Sequence, residues 1–87
     1  MSYDSSTIEE KYKRCQQAVE LLKIQTNNDT KALSEVLRAL SDCQSFGADE
    51  WNVSQLRLAI IETDAALAYN VETGEFNPNE EVIALFD

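Results

Sequence analysis

One proline and two glycines among 87 residues leave this chain few places to turn tightly. A β fold of this size needs many residues that accept turn geometries, so that class is disfavoured. The hydrophobic content, 44%, is too high for a segment that stays disordered. Helices are the economical solution. A chain this short buries enough surface for one compact bundle, without room for a large enclosed active site beside the core. The sequence therefore predicts a single all-α domain over residues 1–87, with helices near 7–27, 31–46, 50–72 and 78–86.

The first helix opens at Ser6-Thr7-Ile8-Glu9, which has capping-box form with Ser6 and Glu9 as the reciprocal pair. Ile8, Tyr12, Cys15, Val19 and Leu22 then recur at helical spacing on one stripe. The polar stretch from Thr26 to Thr30 is where this helix should fray, and it supplies caps for the next. Leu33, Val36, Leu37, Leu40 and Cys43 mark the second helix, and Gly47 is its expected left-handed stop. A short connection makes the pair an antiparallel hairpin. A turn near residue 29 sets Leu22 level with Val36 and Cys15 level with Cys43.

The third helix, started by Asp49 or Asn52, is the most informative. Val53, Leu56, Ile60, Thr63, Leu67 and Val71 form one stripe, while Leu58, Ile61, Ala65 and Tyr69 form a second on a different face. A helix with two apolar faces needs two surfaces to cover them. Gly74 ends it or tightens the following turn, and Asn77-Pro78-Asn79-Glu80 reads as a helix start with Asn77 at the cap and Pro78 in the first helical position. Val82, Ile83, Leu85 and Phe86 in the last segment are too apolar for water, so they return to the core or enter a partner's groove.

Charge narrows the partner. The net charge is −9, and every basic residue lies at or before Arg57. Glu62, Asp64, Glu72, Glu75, Glu80, Glu81 and Asp87 are therefore unbalanced in the last thirty residues. Such a field opposes direct binding to nucleic acid or anionic membranes and attracts a basic protein surface. No apolar run approaches the length of a membrane span, and the first residues lack the pattern of a secretory signal, so a cytoplasmic protein is expected.

Histidine is absent, which removes the usual acid–base group near neutral pH and the commonest transition-metal ligand. Cys15 and Cys43 lack zinc-site spacing and are expected as buried thiols, with a reversible disulfide as the lesser reading. Neither a phosphate-binding glycine loop nor a calcium-hand pattern occurs. Asn28-Asp29-Thr30 and Asn52-Val53-Ser54 match the glycosylation pattern by chance, absent a signal. The paired carboxylates Glu9-Glu10, Asp49-Glu50 and Glu80-Glu81 sit at helix starts, where they complement the dipole. No catalytic residue, metal or cofactor is assigned.

The expectation is a non-enzymatic binding protein, an inhibitor, immunity-type or regulatory protein, that docks on a basic surface of its target. Small phage and mobile-element proteins, including mimics of nucleic-acid charge, fit this description by association. The acidic set Glu62, Asp64, Glu72, Glu75, Glu80 and Glu81 would steer encounter, with Trp51, Tyr69, Leu85 and Phe86 as apolar anchors. The alternative is a homodimer or assembly subunit that buries Leu58, Ile61 and Ala65 against another copy.

Overall fold

The computed structural model describes residues 2–87, and over them the fold is all-α. A 3-10 turn, Tyr3–Ser5, leads into α1 (Ile8–Thr26), α2 (Ser34–Phe46), α3 (Glu50–Ala68) and the short α4 (Glu80–Leu85). All four expected helices are present, and their ends differ from expectation for local reasons.

The capping box of α1 is Thr7 with Glu10, one residue later than Ser6 with Glu9. The Thr7 hydroxyl accepts the Glu10 N–H at 3.2 Å, and the Glu10 carboxylate accepts the Thr7 N–H at 3.3 Å. Ser6 is unavailable because its hydroxyl donates to the Ser2 carbonyl at 3.1 Å, closing the 3-10 turn. The Thr7 hydroxyl and N–H bonds hold the Glu10 carboxyl below its ordinary range, so this cap is intact at neutral pH and weakens as acid protonates Glu10. At its other end α1 stops cleanly: Asn27 and Asn28 both adopt left-handed geometry, φ 55° and 61°. Asp29 then accepts the N–H groups of Lys31 and Ala32, forming a turn that delays α2 to Ser34.

Asp49 caps α3 by accepting the Asn52 N–H at 2.7 Å. Asn52 instead closes the α2–α3 turn, its side chain donating to the Gly47 carbonyl at 2.9 Å. That glycine does stop α2, though in an extended positive-φ form (φ 108°, ψ 146°) in place of the left-handed one.

The largest departure lies after α3, which ends at Ala68 and does not reach residue 72. Tyr69 pairs antiparallel with Phe76, the Asn70 N–H donates to the Glu75 carbonyl, and the Asn77 N–H donates to the Ala68 carbonyl. The Asn70 side chain accepts the N–H groups of Glu72 and Thr73 inside this small hairpin. Asn70 and Gly74 thus supply turn chemistry that overrides the apolar period running on to Val71. Asn77 is taken by the hairpin, so Asn79 caps α4 in its place, accepting from Glu81 and Val82.

The helices run alternately up and down. Residues near the start of α1 meet the start of α3, where Ile8, Lys11, Val53 and Arg57 surround one hollow. The α2 start faces Glu62, Thr63 and Ala66 near the α3 end, so α2 is antiparallel to both neighbours. α4 returns along α1 with its cap at Gln25 and its end at the 3-10 turn. α3 makes the closest backbone approach to both α2 and α1, and the facing stripes of α1 and α2, Cys15, Val19 and Leu22 with Leu33, Val36 and Cys43, meet in one core with it, as the antiparallel hairpin predicts. Leu22, Leu33, Val36, Leu56, Ile60 and Val82 fill the centre.

Cys15 and Cys43 both belong to this core as free thiols. Burial pushes the Cys15 thiol up to about 11 and raises Cys43 as well, so neither supplies a thiolate at neutral pH. The ends of the described chain meet at a clasp: Phe86 stacks edge-on against Tyr3 with centroids 5.2 Å apart, and the Arg57 guanidinium lies 5.0 Å from the Tyr3 ring centre and 5.7 Å from that of Phe86.

Candidate functional site

The twelve residues expected to bind a partner do not form one patch. Trp51, Leu58 and Glu62 line a groove of about 320 Å³ between α2 and α3. Its opposite wall comes from Glu35, Arg38 and Asp42 of α2. Trp51 is 72% exposed, and Leu58 is 46% exposed two turns further along α3. Ile61 follows at 38%, one turn on, and opens into a second groove of about 220 Å³ between α3 and α4. Exposed Ile83 of α4 lines that second groove too. A row of apolar side chains thus crosses the outer face of α3 from Trp51 through Leu58 and Ile61 to Ile83. The second face of α3 is therefore real, and α2 and α4 flank it without covering it.

Charge along this row is mainly negative. Glu35, Asp42 and Glu62 border the first groove against the single cation Arg38. Among the described residues one ion pair forms, Lys23 to Glu20 at 3.4 Å, and it lies elsewhere on α1. The carboxylates of the groove are therefore free to act on an approaching charge.

Several expected contacts are placed differently. Asp64 is not part of an exposed acidic set: it is 4% exposed, and its Oδ1 accepts the Asn79 N–H at 3.2 Å. Burial raises its pKa, and the Asn79 bond offsets this only in part. Leu85 and Phe86 turn back on the core beside buried Val82 and are partly buried there, with Phe86 also lining the α3–α4 groove. Glu80 and Glu81 sit exposed in the first turn of α4. Tyr69, Glu72 and Glu75 lie on the hairpin after α3, where Val71 and Phe76 are exposed as well.

The sequence reading missed the α2 wall of the first groove. Glu35, Arg38 and Asp42 recur at i, i+3 and i+7, which puts them on one polar face of α2 that flanks its buried stripe of Val36, Ala39 and Cys43. That spacing was a usable signal. It becomes informative only once α2 is known to pack beside α3.

No helix among the described residues is long and apolar enough to cross a membrane. Among the same residues no cluster of three or more His, Cys, Asp and Glu is arranged to hold a metal ion. No protein-family model matches the chain, and neither curated proteins nor solved structures give a significant match. The arrangement places a row of exposed apolar side chains beside carboxylates that are unpaired among the described residues.

Proposed function

We propose that this chain is a non-enzymatic protein-binding module that docks the outer face of α3 on a basic surface of another protein. The reading is carried by the exposed row Trp51, Leu58 and Ile61 beside the carboxylates Glu35, Asp42 and Glu62. A large aromatic left 72% exposed adds little to the bundle's own stability, whereas Trp is among the residues that dominate interface energetics. The acidic border accelerates encounter with a positive surface and rejects a negative one. It also disfavours a second copy, because a two-fold contact through this face sets like carboxylates near each other. Inhibitor, immunity-type and regulatory roles, including those carried by phage and mobile elements, share this kind of docking.

The test is affinity capture from the native cell with the wild-type chain and with a Trp51→Ala/Leu58→Asp variant whose fold is verified by circular dichroism. The wild type should retain a protein with a basic surface patch, released as ionic strength rises. Two hot-spot losses of about 2 kcal/mol each should weaken retention by at least roughly 100-fold. Equal retention by both chains would refute the reading. Light scattering that finds a stable wild-type dimer, dissolved by the double substitution, would replace it with the homo-oligomer.

A further inference from the structure

The α3–α4 groove contains a charge that the fold leaves unneutralised. Asp64 lines its floor and is almost fully buried, yet no cation of the described chain pairs with it. The nearest basic residue on its own helix, Arg57, stands two turns back, about 10 Å along the helix axis. Its guanidinium is engaged with the rings of Tyr3 and Phe86 instead. Asp64 Oδ1 is taken by the Asn79 N–H, whereas Oδ2 has no donor among the described residues and is not enclosed, so it is open to the groove. Beside this carboxylate the groove is walled by Ile61, Val82 and Ile83, and the other acid on its lining is Asp87. A carboxylate partly desolvated by apolar walls and without a countercharge is less well solvated than one in water, and a cation reaching its open oxygen offsets that loss.

We propose that this groove receives a lysine side chain presented by the basic partner, its ammonium paired with Asp64 Oδ2 and its alkyl stem laid between Ile61 and Ile83. The proposal rests on the reading of the chain as a binder of a basic protein, and it assigns the contact that such a partner must supply. Lysine fits better than arginine for a geometric reason. A guanidinium makes its strong contact by engaging both oxygens of a carboxylate in parallel, and here one oxygen is already occupied. A compact ammonium needs a single oxygen. Its four-carbon stem buries readily along apolar surface while the head keeps a polar partner. The net negative groove, with Asp64 and Asp87 against Arg57 alone, favours a cation over a zwitterion or an anion.

The experiment is a methyl and amide NMR titration of the full chain with two capped tripeptides, acetyl-Leu-Lys-Leu-amide and its analogue with norleucine replacing lysine. The lysine peptide should shift the Ile61 and Ile83 methyl groups, and the norleucine peptide should bind at least roughly tenfold more weakly, as expected for loss of one charge-assisted contact. Asp64→Asn should weaken the lysine peptide by a similar factor. That variant keeps an oxygen to accept the Asn79 N–H, and its amide spectrum will report whether the fold is unchanged. Glu20→Gln, which removes one exposed charge from α1 outside the docking face, should leave binding within about twofold. Equal binding of the two peptides, or an Asp64→Asn chain that binds lysine as well as the wild type, overturns the lysine site. If the lysine peptide shifts only Trp51 and Leu58, this proposal falls while the docking face stands. A chain that also fails the capture test loses the docking reading itself.

Discussion

Leu56→Ala should destabilise the protein by about 2–5 kcal/mol, measured by urea unfolding followed at 222 nm. Leu56 is fully buried on α3, the helix that α1 and α2 both pack against, so a cavity there removes contacts from more than one partner at once. A domain of this size has a total stability of roughly 4–13 kcal/mol, so a loss of about 5 kcal/mol would unfold a chain near the lower end of that range and leave one near the upper end folded. Leu58→Ala, two residues along the same helix, should change stability by no more than about 1 kcal/mol because that side chain is already half in water. The contrast separates the structural face of α3 from the face assigned to binding. Comparable losses at both positions would mean that Leu58 is more deeply packed than its exposure indicates.

The second large effect is at Asp64, where two substitutions should move stability in opposite directions. Asp64→Ala removes the acceptor of the Asn79 N–H and leaves that donor unpaired where α4 begins, at a cost on the order of 1–3 kcal/mol. Asp64→Asn retains an oxygen acceptor and removes a buried charge, so it should be at least as stable as the wild type at neutral pH. The pH dependence follows from the direction of the shift. Burial raises the folded-state pKa of Asp64 above its ordinary value of 3.8, so the favourable contribution of the protonated acid is fully present below that value. It is lost as pH rises through the folded-state pKa. The stability advantage of Asp64→Asn should therefore widen from acidic to neutral pH, read as a difference in melting temperature between the two chains. An advantage that instead shrinks over that range would show that the carboxylate is stabilised in place, not strained by burial.

Much of the bundle was legible because helical period and cap chemistry agree over most of the chain. Val53, Leu56, Ile60 and Thr63 were expected on the core face of α3, and all are buried. The misreadings arise where a local choice depends on something distant in the sequence. Ser6 and Thr7 are equally able to cap a helix, and the decision rests on whether Ser6 is already engaged by the turn before it. Periodicity carried α3 on to Val71 because it records apolar spacing and cannot weigh the backbone pairing of Tyr69 with Phe76. Asp64 is the clearest case for the site. Sequence alone groups it with solvent-facing acids, whereas the return of the chain through Asn79 and α4 covers it. The exposed face of α3 was visible as a second apolar stripe, yet its division into two grooves depends on where α2 and α4 settle.

Trp51 is the only tryptophan of the chain and stands mostly in water at the edge of the α2–α3 groove. Its intrinsic fluorescence will therefore report on the surface more than on the core. Native emission should already be red-shifted and should change little in wavelength when the chain unfolds, so unfolding is better followed by helicity. Burial of the indole beneath a docked partner should move the emission to the blue. The protein thus carries its own optical probe for complex formation, one that requires no label.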